Sequence, residues 1–414
     1  MNPRLPRSWT ILLAITAGAL AIRVAAAVVV ENIARKQHSL CLFDDTNIYW
    51  KLAEAIRLGQ SYEVDQYGIP HRALRTPGYP LFLAACQSVL GRDGTLGVRI
   101  VQAILGALCV VLVYVLTRNV WPQKSRTIAL IAAGLAGFTP YWAASAALLL
   151  SEAVFVPLML LTLCGLSALW TSGDAREPRH AWAIAIATGV AAGASVMVKP
   201  SWALAVPAFV AIWWVSQRTI RTLQRMMVVC LSAAAVMAPW WVRNERVFGF
   251  FVPTALWAGA SLYDGLNPEA DGSSNMRFLG EDRFKSLGEV EQDTTLRQHA
   301  ITFARENSGR VMKLAFIKAA RFWSPWPNAP EFRASLTNLA SALITIPIFA
   351  LMAAGLFANR HDPRALVLLA GPLLYFFALH MIFVSSIRYR IPAEVPALAL
   401  AVASGKWLVA RQYK

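Results

Sequence analysis

The chain has 414 residues, 57% of them hydrophobic and only 15% charged, and its 39 Lys and Arg against 23 Asp and Glu give a formal net charge of +16. Soluble domains carry about 25% charged residues, and one soluble core large enough to hide this much apolar surface is excluded by how burial scales with chain length. In a membrane chain, part of that basic excess belongs in cytoplasmic loops and is no sign of nucleic acid.

Apolar runs near the roughly 20 residues that cross a bilayer core recur throughout. They predict helices, because lipid offers the backbone no hydrogen-bond partner. The expected fold is all-α integral membrane, one polytopic domain over 1–414, with spans at 9–30, 96–117, 127–146, 149–171, 181–198, 201–216, 226–243, 336–357, 365–384 and 391–409. The apolar stretch from Ile11 to Val30 is longer than a secretory h-region, so the first span is expected to stay uncleaved. Arg4 and Arg7, Arg118, Lys124 and Arg126, Arg176 and Arg179, Arg218, Arg221 and Arg225, Arg360 and Arg364, and Arg411 and Lys414 all fall on one side of a ten-span count. Positive loops mark the cytoplasm, so both termini are expected inside. Compact loops and no sorting signal point to a bacterial inner membrane.

Two polar segments, 31–95 and 244–335, then lie outside. Their basic residues are placed to meet lipid headgroups or phosphates. The first opens on Asp44-Asp45, two carboxylates at a membrane mouth where desolvation is costly and ionisable groups are commonly functional. Helix capping would use only one of them. An amphipathic helix is expected from Thr46 to Leu58, capped by Asp45 or Thr46, with Ile48, Leu52 and Ile56 on one face and Gly59 as its stop. Downstream, Arg75-Thr76-Pro77-Gly78-Tyr79-Pro80 sets a basic residue against a rigid turn. Such a guanidinium suits a phosphate or, less specifically, a headgroup.

Glu152, near the outer end of the fourth span, needs a cationic partner. Arg23 in the first span poses the same question or snorkels outward. Lys199-Pro200 puts a cation in a tight outside turn, and Pro239-Trp240-Trp241-Val242-Arg243-Asn244 ends the seventh span, its indoles most simply an interfacial belt. The second outside loop begins irregularly and is expected to become helical near 294–322, where Ile301, Ala304, Val311, Leu314 and Ile317 alternate with basic residues. His380 reads as a core histidine. Arg388-Tyr389-Arg390-Ile391-Pro392 places two arginines in a short outside loop, against the usual charge bias. Cys109, Cys164 and Cys230 lie in spans, and Cys41 and Cys86 share an outside loop where they could pair. No zinc-ligand spacing, phosphate-binding loop or dinucleotide fingerprint occurs, which argues against a cytoplasmic nucleotide donor.

These stretches together resemble the C-type membrane glycosyltransferases, the lipid-phosphate-sugar-dependent enzymes typified by protein O-mannosyltransferases and the aminoarabinose transferase of lipid A. The likeness rests on Asp44-Asp45 with Tyr49, Ala53 and Gly59; on Arg75 through Leu83 with Arg99-Ile100-Val101-Gln102; on Ser151-Glu152-Ala153; on Pro239 through Asn244; and on Arg388 through Pro392. It implies that Asp44 is the catalytic base, with Asp45 where relatives often have glutamate and Arg75 where many have lysine. Arg75, Arg388 and Arg390, joined by Lys199, are expected to hold the donor phosphate, with Tyr79, Glu152, Arg243, Asn244 and Tyr389 in support.

The implied reaction is inverting transfer of a sugar from a polyprenyl-phosphate donor to an acceptor hydroxyl of a glycan, lipid or protein, outside the membrane. The partners are that donor, membrane lipids and the acceptor, with no nucleic acid. No cofactor is required, although some relatives bind a divalent metal. Many relatives carry a large soluble C-terminal domain; the chain ends at Lys414, just after the last span, so acceptor recognition is expected from the loops. The competing reading is a transporter or flippase for an anionic lipid, which predicts inverted repeats and polar groups at the midplane. A non-catalytic scaffold explains neither the acid pair nor the outside arginines.

Overall fold

The computed structural model describes residues 7–37, 43–124, 126–172, 178–328 and 334–412; within its helices the side chains of residues 44, 172, 178 and 405–412 lie outside that description. Helices α1 (Arg7–Lys36), α2 (Asp44–Arg57), α3 (Gly78–Leu90), α4 (Thr95–Val120), α5 (Arg126–Phe138), α6 (Pro140–Ser145), α7 (Glu152–Ser172), α8 (Pro178–Val198), α9 (Ala205–Gln217) and α10 (Ile220–Phe248) fill the first part of the chain. The segment between α10 and the next long apolar helix holds α11 (Ala258–Gly265), α12 (Asp282–Lys285), α13 (Glu289–Glu306) and α14 (Ser308–Phe322). Then come α15 (Ser335–Ala358), α16 (Pro363–Ile382, with a π-turn at Leu366–Ala370) and α17 (Ile387–Gln412).

The chain is an all-α, multi-pass integral membrane protein. Seven helices among the described residues are long and apolar enough to cross a bilayer: α1, α4, α7, α8, α10, α15 and α16. The other three expected spans fall on the shorter apolar helix α5 with its continuation α6, on the 13-residue α9, and on α17. Helix α4 packs between α1 and α7, α7 continues the layer to α8 and α10, and α17 lies against α15 and α16.

Pro140 breaks the third expected span, since a proline cannot continue the ladder of α5. The freed carbonyls find side chains. Buried Arg23 donates to Ala136 O at 3.1 Å and Gly137 O at 2.7 Å, and so caps α5 rather than snorkelling outward. In the irregular stretch after α6, Ala146 O and Leu148 O accept from Gln102, Ala147 O from Arg99 and Leu149 O from Thr46. Non-helical backbone is tolerated at this depth only when satisfied in this way.

Helix α2 starts two residues earlier than expected, and Gly59 (φ 65°) ends it. Neither Asp45 nor Thr46 caps it. Its N-cap is Phe43, with no side-chain bond, because both polar side chains reach across to other elements. A small antiparallel hairpin, β1 (Val64–Gln66) with β2 (Ile69–His71), pairs Val64 with His71 and turns through Tyr67 and Gly68. The helix expected at 294–322 is two helices, α13 and α14, parted at Asn307. Cys41 lies outside the described residues, and with it the pairing to Cys86.

Candidate active site

Five side chains form a continuous ion-pair chain where α2 meets the N-terminal ends of α7 and α17 and the C-terminal end of α8. Arg75 Nη2 donates to Asp45 Oδ1 at 2.9 Å, and Arg388 Nη1 to Asp45 Oδ2 at 2.8 Å. Arg388 Nε reaches Glu152 Oε1 at 3.1 Å, and Lys199 Nζ meets the same oxygen at 3.1 Å. Three cations against two carboxylates leave the chain positive. Burial, the largest influence, pushes the Asp45 carboxyl up, but the Arg388 and Arg75 guanidiniums together outweigh it and hold Asp45 well below the usual carboxylate range.

Each member is placed by local structure. Asp45 sits in the first turn of α2, and Thr46 Oγ1 pins that turn to Leu149 O at 2.9 Å. Arg75 lies in the rigid turn before α3. Its own carbonyl accepts from Tyr62 Oη at 3.0 Å, and its guanidinium lies 5.2 Å from the Trp257 ring centroid. Gly78 lets the turn approach the end of α8, where a Cβ would sit 2.5 Å from the Met197 carbonyl. The next residues there, Val198 and Lys199, carry the lysine into the cluster.

The remaining expected residues divide. Tyr79, fully buried, donates to Gln102 Oε1 at 2.8 Å and packs edge-on to Tyr49, behind the ion pairs. Arg243 donates to Arg72 O at 2.8 Å and Tyr62 O at 3.1 Å, while Asn244 donates to Val252 O at 3.1 Å. Arg243 ties α10 to the segment carrying Arg75, and Asn244 ties it to the stretch that follows α10. Trp240 and Trp241 do more than mark an interface: their indoles donate to Thr254 O and Pro253 O. Tyr389 stacks on His380 with centroids 4.0 Å apart, and Lys199 Nζ lies 5.6 Å from its ring.

Arg390 is not brought into the cluster. It is buried, pairs with Glu394 at 2.9 Å, and donates to Phe322 O and Ser324 O, each at 2.7 Å. Its neighbour but one, Arg388, opens the first turn of α17. Residues two apart on a helix point about 200° apart, so the two arginines serve different faces. The Asp44 side chain lies outside the described residues; its backbone begins α2 beside Asp45. Among the described residues no group of three His, Cys, Asp or Glu side chains comes together to hold a metal, and both Asp45 oxygens already accept from arginines.

Sequence reasoning missed Glu289. Its carboxylate accepts from Arg72 N at 2.7 Å and Ala73 N at 2.8 Å, holding the strand before Arg75. It is one of several acidic residues in a polar helix, so nothing local marked it.

The sequence profile of the dolichyl-phosphate-mannose-protein mannosyltransferase family matches residues 77–256. An undecaprenyl phosphate-alpha-4-amino-4-deoxy-L-arabinose arabinosyl transferase of Pseudomonas fluorescens is 31% identical over 217 residues, which is 49% of this chain and 34% of that protein. The match thus takes in about a third of that relative's length. The oligosaccharyltransferase of Archaeoglobus fulgidus, tethered to an acceptor peptide, superposes with a TM-score of 0.60 at 13% identity, over 98% of this chain and 50% of that one. The same archaeal protein with an inhibitory peptide and a dolichol-phosphate gives 0.56 at 13% identity, over 98% and 51%. These two share the fold.

Proposed function

We propose that the chain is a C-type membrane glycosyltransferase that transfers a sugar, with inversion, from a polyprenyl-phosphate donor to an acceptor hydroxyl on the extracytoplasmic side. The observation that carries this reading is the pairing of Arg75 and Arg388 on the two oxygens of Asp45, with Lys199 joined through Glu152. Two guanidiniums fixed this way present planar donors to a phosphate. Asp45, held ionised by both, is a poor proton acceptor; it positions the arginines. Asp44, next to it at the start of α2, is the general base.

The acceptor oxygen attacks the anomeric carbon from the face opposite the phosphate. The new C–O bond forms as the bond to the phosphate oxygen breaks, and the acceptor proton passes to Asp44. The leaving group is an anion already, so it needs fixed positive charge more than a proton, and Arg75, Arg388 and Lys199 supply it. General-base assistance is worth about 10²–10⁴-fold. The basic residues of the short loops on the opposite side support an extracytoplasmic site, in a bacterial inner membrane.

The test uses protein in lipid bilayers with a panel of radiolabelled polyprenyl-phosphate sugars and membrane acceptors. Transfer of label with inverted anomeric configuration supports the reading. No transfer from any donor, together with saturable movement of the lipid between leaflets, replaces it with a flippase.

A further inference from the structure

Arg388 holds both Asp45 and Glu152, yet the backbone that delivers it is irregular. Four residues, 383–386, join the end of α16 to the start of α17, and Arg388 is the second residue of α17. The first amides of a helix have no partner within it, and a first turn left without partners frays. Two side chains supply partners here. Ser386, next to the helix, accepts from Arg388 N at a long 3.3 Å. Asn328, 59 residues before Ile387 in the chain, accepts from Ile387 N at 2.7 Å through its Oδ1. The first amide of α17 is thus capped from a distant segment.

Asn328 is itself held. Its Nδ2 donates to Arg321 O, near the end of α14, at 3.3 Å. A side-chain amide with a donor on one side and a carbonyl on the other has one satisfied orientation, so Oδ1 stays toward α17. Helix α14 also grips the linker. Lys318 Nζ donates to Ile382 O at 2.6 Å, and Arg321 Nε donates to Ser385 O at 3.1 Å. Ser385 N donates to Gly272 O at 3.1 Å. Lys318 and Arg321 therefore hold the path of the chain before α17. Of these three side chains, Asn328 is the one that bonds the first amide of α17 itself.

We propose that Asn328 is a positioning residue for the transfer reaction: by capping α17 at Ile387 it sets where the Arg388 guanidinium stands between Asp45 and Glu152. The proposal rests on the transferase reading for what Arg388 meets there. The two bonds of Arg388, at 2.8 and 3.1 Å, do not survive a shift of about 1 Å. Misplacement on that scale costs about 10²-fold where reacting groups must be aligned. Loss of one cap loosens the first turn only in part, so the expected effect is smaller, about tenfold.

The test is a double-mutant cycle on the full chain in lipid bilayers, read by sugar transfer and by binding of a polyprenyl phosphate. Asn328→Ala is expected to lower kcat/KM about tenfold. Asn328→Asp keeps an acceptor for Ile387 N and is expected to stay within about threefold of wild type. In an Arg388→Lys background, Asn328→Ala should cost less than about twofold more, because the group it positions is already gone. Thr219→Ala is the control for a purely structural cap. Thr219 accepts from Thr222 N at 3.1 Å in the first turn of α10, so its loss should lower the melting temperature and spare kcat/KM. Hydrogen exchange at the start of α17 should quicken in Asn328→Ala and not in Asn328→Asp. Equal losses from Asn328→Ala in the two backgrounds, or an unaltered kcat/KM in Asn328→Ala, overturn the proposal. If the alanine variant does not fold, Asn328→Ser, whose shorter side chain withdraws the acceptor, carries the same comparison. If wild type transfers from no donor, the transferase reading falls alone, and the cycle read on polyprenyl-phosphate affinity decides the proposal by the same criterion.

Discussion

Asp45 and Arg388 lie 343 residues apart in the sequence and meet at 2.8 Å. Through this bond the segment between α1 and α3 is joined to α17. Arg75 takes the other oxygen of the same carboxylate, so one aspartate sets the separation of two guanidiniums.

That arrangement fixes a pH signature. Asp45 has a folded-state pKa below its unfolded value, so its contribution to stability is present above the unfolded pKa, about 4. It is lost only as pH falls through the still lower folded value. Asp45 therefore stays charged across the working range, and an acid limb in kcat is expected from the proposed base, Asp44, instead. Asp45→Asn is expected to raise donor KM by about tenfold or more while keeping the acid limb. Disappearance of that limb in Asp45→Asn would reverse the two roles.

Arg388→Lys and Arg390→Lys should separate cleanly. A lysine has one point of charge and cannot hold Asp45 and Glu152 from separate nitrogens, as Nη1 and Nε of Arg388 do. We expect Arg388→Lys to lower kcat/KM by about 10–100-fold. Arg390→Lys should instead lower thermal stability, because Phe322 O and Ser324 O lose their donor, and should spare kcat. Parallel transfer assays and melting curves read both.

Gly78→Ala introduces a Cβ 2.5 Å from the Met197 carbonyl, where two backbones meet and neither can move cheaply. Overpacking of this kind costs about 1–3 kcal/mol. Because the strain falls between the Arg75 turn and Lys199, kcat/KM should drop together with the melting temperature. A variant with full activity would show that this close approach is dispensable.

Lys318 in α14 offers a stability test independent of turnover. It is buried, and Nζ donates to Gly265 O at 2.8 Å and Ile382 O at 2.6 Å. Burial lowers its pKa from 10.5 to about 8, with Asp264 opposing the shift. Between those values the unfolded chain binds more protons, so folding stability should rise with pH from about 8 toward 10.5 and be insensitive to this group below about 8. Hydrogen exchange around Gly265, compared at the two ends of that window, is expected to show the rise in wild type and lose it in Lys318→Met.

Much of the bundle could be read directly, because apolar runs of membrane-spanning length need no tertiary information. Asp45, Arg75, Glu152, Lys199 and Arg388 each stood out alone, as charges in costly or unusual places. Their pairing did not, since every bond joins distant segments. Arg390 was misplaced beside Arg388 because 388–392 reads as a loop; with α17 starting at Ile387, the two arginines diverge. Whether Arg23 pairs or snorkels is undecided in the sequence because its acceptors exist only once Pro140 breaks α5. Thr46, a natural cap by composition, serves Leu149 O instead, which no local rule anticipates.

The most direct measurement compares wild type with Asp44→Asn in bilayers, following single-turnover transfer from a radiolabelled polyprenyl-phosphate sugar alongside binding of the same donor. The account predicts inverting transfer by wild type, a loss of about 10²–10⁴-fold in Asp44→Asn, and donor binding preserved in both. Undiminished transfer by Asp44→Asn would contradict the assignment of the base, and no transfer by wild type from any donor would contradict the proposed function itself.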